Sequence, residues 1–379
     1  MPRNGQRTPK ASEVPPNPPR IPRIAVEART DQPSALAAVR RRKLPPALSV
    51  LGLIFVGLLL AWLIKNAIDT PRDFFNVLLI GLTTGAVYAL VALGYTLVYG
   101  ILQLINFAHG DVFALSGLFA TTMIGGAVFG LTGTTSTLGV VGGLTATFII
   151  AAAFGATVNS TIEFLAYRRL RSAPRLAVLI TAVGMSFIVQ NISLKFYDVN
   201  ARSIPPLISS HSVFNISGVV YTWDAFFVVL VTAPVLVLLT WLVKSTRQGK
   251  AMRATSQDPE AAAIMGINVN RTISFTFALA GALAGIGATL YLVEFNIRYD
   301  TGFTLGLIAF TAAVLGGIGN LTGAVLGAIL IGMIQAFNEG LSWNAPGTAW
   351  TKSIVFGILI AILVFRPEGL LGERTPEGA

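Results

Sequence analysis

Residues 256–271 read SQDPEAAAIMGINVNR, a polar, alanine-rich interruption between two apolar runs. FFVVLVTAPVLVLLTWLV (226–243) precedes it and FTFALAGALAGIGATLYLV (275–293) follows it. A helix needs roughly 20 apolar residues to cross the hydrocarbon core of a bilayer. Each flank approaches that length, so the interruption reads as a loop between two membrane spans. The whole chain agrees. Of its 379 residues 54% are hydrophobic and only 12% are charged, about half the charged share of a soluble domain. A soluble core has no room for that much apolar surface. The fold class is therefore an all-α membrane protein, a polytopic helical bundle in a lipid bilayer.

Outward from the loop, apolar runs recur at 47–64, 74–98, 111–130, 137–158, 176–196, 222–243, 272–294, 303–318, 321–341 and 351–366. They predict about 8–10 transmembrane helices. Glycines and polar residues interrupt the segments near 101–110 and 303–323, which read as broken or re-entrant. Residues 1–46 hold 10 of the 19 prolines and the run Arg40-Arg41-Arg42-Lys43. That composition cannot build a core and predicts a disordered, basic, Pro-rich tail. The charged stretch is too long for a secretory signal and no small-residue cleavage site follows, so 47–70 reads as a retained additional span. Residues 71–372 form the main membrane domain and 373–379 a second tail.

Basic residues set the orientation. The net charge of +10 is concentrated in the tail and two loops, which marks topology and not a nucleic-acid surface. With ten spans and the N-terminus inside, 21 of the 27 Lys and Arg residues fall on the cytoplasmic side and six outside. Both termini and the loop 244–271 are therefore expected in the cytoplasm. The chain has no cysteine, which excludes a disulfide framework and a cysteine-based metal or redox centre.

Within the loop, Asp258-Pro259-Glu260 is a helix start. Asp258 caps free N–H groups, Pro259 fits the first helical position and Glu260 complements the positive end of the dipole. Ala261, Ala262, Ala263, Ile264 and Met265 continue the helix, and Gly266 ends it. Ala261, Ile264 and Met265 share one face. A helix of about two turns does not stand alone, so this face needs a surface. Three are open: lipid headgroups, the protein's own bundle, or a groove in a cytoplasmic partner.

Glu260-Ala261-Ala262, three residues and then Gly266 match the EAA-xxx-G loop of ABC transporter permeases. GKAMRATSQDPEAAAIMGINVNR (249–271) resembles the branched-chain amino acid permeases of the LivH type, as do GLTTGAVYALVALGYTLVYGILQLINFAHGD (81–111), AFTAAVLGGIGNLTGAVLGA (309–328) and FRPEGLLG (365–372). The resemblance covers roughly residues 74 to 372, and its blocks occur in the family's order. The tail and first span depart from the shorter family pattern. The resemblance implies a permease subunit in a bacterial inner membrane. Its partners would be ABC ATPase subunits, a second, LivM-like permease and an extracytoplasmic substrate-binding protein, and its substrate an amino acid. Asp258, Glu260, Ala261, Ala262, Ile264, Met265 and Gly266 would form the coupling helix that enters a cleft of the ATPase. The implied substrates are leucine, isoleucine and valine, with urea or short amides as the alternative. The chain has no G-x-x-x-x-G-K-[ST] motif and no cytoplasmic loop large enough for an ATPase domain. It is thus expected to bind no cofactor and not to be an enzyme, with ATP and magnesium used by the partner.

Two further segments carry candidate residues. ILQLINFAHGDVFALSG (101–117) brings Asn106, His109, Gly110 and Asp111 together. Ionisable groups at membrane depth line cavities or are buried in protein, and a helix broken at Gly110 would offer free backbone groups to a zwitterion. These four are candidates for the substrate path; a short loop at the cytoplasmic interface is the plain alternative. AVLGGIGNLTGAVLG (313–327) holds Gly316, Gly317, Gly319, Gly323 and Gly327, and Gly281 and Gly285 repeat the four-residue spacing. Such glycines allow close helix packing or mark a second re-entrant break. Glu163 beside Arg168 reads as an ion pair at the membrane interface, and Glu294 and Glu339 as solvated at outer ends. Among rivals, an ion-driven transporter would leave the EAA loop unexplained. An intramembrane enzyme lacks a nucleophile–base or metal-ligand set, and a membrane scaffold has no need of broken polar segments.

Overall fold

A computed structural model describes residues 46–127, 129–131, 136–171, 173–208, 211–366 and 368–372. The predicted tails, apart from Pro46, lie outside the described residues. The chain divides into two units, one reaching Leu60 and the other running Ala61–Ala379. The described part of the first unit is the opening of helix α1 (Pro46–Asp69), whose Ile54, Val56, Leu58, Leu59 and Leu60 are exposed.

The second unit continues with α2 (Pro71–Leu102), α3 (Ala108–Thr122) and α4 (Thr137–Ile162). A π-helical turn (Met123–Ala127) extends α3; another (Glu163–Tyr167) and a 3-10 turn (Arg168–Leu170) extend α4. Then come α5 (Arg175–Tyr197), strands β1 (Ser212–Ile216) and β2 (Val219–Thr222), α6 (Trp223–Ser245), α7 (Arg247–Gln257), α8 (Pro259–Ile264) and α9 (Val269–Glu294). The last helices are α10 (Thr301–Gly316), α11 (Leu321–Gly340) and α12 (Thr348–Phe365).

Every one of the ten predicted spans is realised as a helix. Among the described residues seven stretches are long and apolar enough to cross a membrane: α2, residues 138–170, α5, α6, α9, α11 and α12. The shorter α3 and α10 flank the segments that the sequence marks as broken. The chain is a polytopic all-α membrane protein.

Helix α2 lies at the centre. It is apolar all round, as a helix enclosed by others should be, and from Thr83 to Val98 every residue is buried. It pairs most extensively with α11, and α4 with α9 forms the next most extensive pair. Glycine permits the first approach: a Cβ at Gly85 would fall 2.7 Å from the Ile329 backbone. The outer helices behave differently. α6 and α12 leave most of their apolar side chains uncovered, which suits a surface bathed in lipid.

Two features were not foreseen. β1 and β2 form an antiparallel hairpin in the loop before α6. Asn76 of α2 fastens it, accepting from the Val220 N–H at 2.8 Å and donating to the Gly218 carbonyl. Asn66 in the last turns of α1 is fully buried. Its Oδ1 accepts from the Trp343 N–H at 3.0 Å while its amide donates to the Trp343 carbonyl, so this end of α1 is tied to the α11–α12 loop. Glu294 and Glu339 are exposed, as expected.

Candidate functional site: the coupling loop and the broken segment

The loop after α6 folds into two short helices. Thr246 caps α7, accepting from the Gly249 N–H at 3.1 Å. Met252 and Thr255 of α7 are buried, so α7 is seated on the membrane helices. The next cap is Asp258, whose Oδ1 accepts from the N–H groups of Glu260 and Ala261, both at 2.9 Å. Helix α8 follows. Gly266 takes φ +84°, a left-handed conformation that glycine adopts without a Cβ penalty. Asn268 then caps α9 by accepting from the Arg271 N–H.

This short helix turns only Ala262 inward. Glu260, Ala261 and Ala263 face out, and Ile264 and Met265 are 86% and 81% exposed. The protein's own bundle therefore does not cover the apolar face, which removes one of the three expected surfaces. An apolar pair is thus held outward on a capped helix, where water penalises it.

The broken segment is deeper than a surface loop. Gln103 takes the left-handed conformation and ends α2. The chain then turns back, and α3 starts at Ala108 with His109 packed against Gly94 of α2. Gly94 lies eight residues before the end of α2, about 12 Å back along the helix at 1.5 Å per residue. The start of α3 is thus enclosed among helices, and Asn106, His109, Gly110 and Asp111 are all buried.

Each of these four has a distinct setting. Asn106 accepts from the Tyr167 hydroxyl at 2.9 Å and donates to Asn159 at 3.3 Å. Asn159 in turn donates to the Phe277 carbonyl of α9 at 2.7 Å. The His109 ring meets Tyr95 edge-on at 4.9 Å, and both its nitrogens are buried without a hydrogen bond of good geometry among the described residues. Gly110 packs backbone to backbone on Gly302 and Gly306 of α10. Asp111 accepts from Ser186 of α5 through one oxygen, while its other oxygen is buried without a hydrogen bond of good geometry among the described residues. Gln190 reaches the same serine at 3.5 Å and is half-exposed on α5.

The glycines divide by geometry. Gly281 and Gly285 of α9 pack on the backbone of α4 at Gly155 and Ala151. Gly316 meets Gly323 across α10 and α11, and Gly327 packs on Ala312. Gly317 and Gly319 have φ +107° and +95° and make the tight turn between those helices. Gly319 has open space where a Cβ would stand, so it serves the turn and not the helix contact. Main-chain bonds from Leu370 and Leu371 to the carbonyls of Leu315 and Gly316 cover the end of α10 with residues 368–372. Sequence reasoning passed over Asn159, Tyr167, Ser186 and Gln190. Of these, Ser186 and Gln190 carried a signal as polar residues inside the run 176–196, and Asn159 as one just past the end of 137–158.

A family profile described as branched-chain amino acid transport system, permease component, matches residues 77–364. The high-affinity branched-chain amino acid transport system permease protein BraD of Pseudomonas aeruginosa is 38% identical over 304 residues, covering 78% of this chain and 95% of BraD. The corresponding protein LivH of Escherichia coli is 36% identical over 303 residues, with 78% and 95% covered. A solved structure of a putative metal-chelate type ABC transporter in an inward-facing conformation aligns over 78% of this chain and 88% of its own, with TM-score 0.41 and 16% identity. With a profile spanning most of the membrane helices and relatives matched over nearly their whole length, this chain belongs to the family of permease components of branched-chain amino acid transport systems.

Proposed function

We propose that this chain is the membrane-spanning permease subunit of an ABC importer for leucine, isoleucine and valine, driven by a separate ATPase docked on α8. The observation that carries this reading is the outward presentation of Ile264 and Met265 by a helix capped at both ends. Such a helix has a rigid mount, through α7 and α9, and an apolar face for a groove in a cytoplasmic motor. The names of BraD and LivH support the substrate class. The chain carries no phosphate-cradling loop of its own, so ATP and magnesium belong to the motor subunits. A second permease and an extracytoplasmic binding protein complete the importer, in an inner membrane with both termini in the cytoplasm.

The substrate path runs by the start of α3, with Asn106, His109, Gly110 and Asp111 among its groups. Buried ionisable groups at membrane depth support this. The buried carboxyl group of Asp111, with Ser186 and Gln190 leading to the α5 surface, suits the ammonium end of a zwitterion.

Uptake of labelled leucine, isoleucine, valine and urea, in cells with and without the gene, tests the reading. Loss of the three amino acids alone is the expected result. Loss of urea alone would keep the importer class and change the substrate. Undiminished uptake of all four, with no ATPase co-purifying, would overturn it.

A further inference from the structure

After the pair of α2 and α11, the most extensive helix contact among the described residues is the seam between α4 and α9. Ala151, Gly155 and Asn159 of α4, and Glu163 at the start of the turn that extends it, recur every four residues and face α9. Opposite them, in antiparallel order, stand Gly285, Gly281, Phe277 and Ser274 of α9. The outer half of the seam is bare backbone contact. A Cβ at Gly281 would lie 2.7 Å from the Gly155 carbonyl carbon and 2.7 Å from the Asn159 side chain. The middle is the bond from Asn159 to the Phe277 carbonyl.

The cytoplasmic end is charged. The ion pair of Glu163 with Arg168 that the sequence suggests is present; the structure adds that the Glu163 side chain is fully buried and has Arg171 as a second partner. It accepts from Arg168 at 3.1 Å, from Arg171, and from the Ser274 hydroxyl at 2.7 Å. Arg168 also donates to Ser274 at 2.6 Å, and Arg171 to Asn270 at 2.5 Å. Burial lowers the Arg171 guanidinium from its ordinary value, and the neighbouring Glu163 carboxylate opposes that shift. A carboxylate with this many charge-assisted bonds is held in one geometry.

Its position connects two places that the function must connect. Asn270 and Ser274 belong to the first turns of α9, a few residues after Gly266 ends α8. Asn159 and Tyr167, on the α4 side, hold Asn106 next to the start of α3. We propose that α4 and α9 move as one lever, that Glu163 fastens its cytoplasmic end, and that the lever carries displacement of α8 to the broken segment at Asn106. Glu163 is on this account a positioning residue for transport. The inference rests on the reading of α8 as the motor contact.

The test uses the complete importer, with ATPase, second permease and binding protein, in proteoliposomes. The quantity measured is labelled leucine moved per ATP hydrolysed. Glu163→Gln keeps the side chain's shape and removes its charge. We expect it to assemble, to hydrolyse ATP at the wild-type rate and to lower the ratio about tenfold, within the range of mutations along a coupling network. Ser274→Ala strands no buried charge; its ratio should fall about two- to threefold, and it decides the matter if Glu163→Gln does not assemble. A ratio unchanged in the assembled variants, or transport and hydrolysis falling in proportion, overturns the proposal. Glu260→Lys separates the two claims. If this α8 variant keeps its ATPase and its uptake, the motor contact is elsewhere and the reading beneath the proposal fails, whatever Glu163→Gln does.

Discussion

The coupling loop and the broken segment invert the usual rule in opposite senses. In the cytoplasmic loop, α8 turns Ile264 and Met265 outward, where water penalises them. At membrane depth, the start of α3 buries Asn106, His109 and Asp111, where low polarity penalises them. Each arrangement is held in place: by the Asp258 cap and Gly266 in one case, and by Gly94, Gly110 and the bonds of Asn106 to Asn159 and Tyr167 in the other. Side chains kept against their solvent preference by well-formed backbone structure point to something beyond folding. On the proposed function, that is a partner in the loop and passage of a polar solute in the broken segment.

This comparison can be broken at either end. The largest effect is expected from Ile264→Asp combined with Met265→Asp. Two centrally buried apolar contacts are together worth about 4 kcal/mol, near a thousandfold in affinity. ATPase co-purification and leucine uptake should both vanish, while the amount of chain in the membrane stays unchanged. Full co-purification would show that the exposed pair does not serve the motor.

Gly94→Val tests the other end. Its side chain would overlap the His109 imidazole, and forcing it in should cost about 3 kcal/mol, the upper range for overpacking. The thermal midpoint of the purified chain should drop accordingly. An unchanged midpoint would mean that His109 is free to leave its place beside α2.

Ser186→Ala removes the hydroxyl that Asp111 accepts from. Leaving a buried acceptor without its donor costs about 1–3 kcal/mol, so a loss near 2 kcal/mol and slower uptake are expected. Stability left intact would indicate that Asp111 finds another donor. The smallest effect, and of opposite sign, belongs to Gly184→Ala on α5. Nothing stands within 4 Å of its added Cβ, so the gain in helix propensity, up to about 1 kcal/mol, should appear as slightly raised stability. Loss of uptake without loss of stability would place a partner on that face of α5.

The sequence by itself determined the class and most of the helices. Bilayer thickness sets a length that an apolar run either meets or does not, and all ten runs became helices. It also determined α8, because capping acts over three or four residues and is written locally in Asp258, Pro259 and Gly266. The hairpin at 212–222 was not legible, since its anchor is Asn76, well over a hundred residues earlier. Only the tertiary structure decided what each polar residue does. Asn106 is defined by Asn159 and Tyr167, Asp111 by Ser186, and Glu163 by Arg171 and Ser274. Except for Arg171, eight residues from Glu163, these partners stand on other helices, far apart in the chain. The same holds for the glycines. One spacing, GxxxG, serves the helix contact at Gly323 and Gly327 but a tight turn at Gly319. Spacing along a helix fixes which residues share a face; which face meets another helix is settled by packing across the bundle.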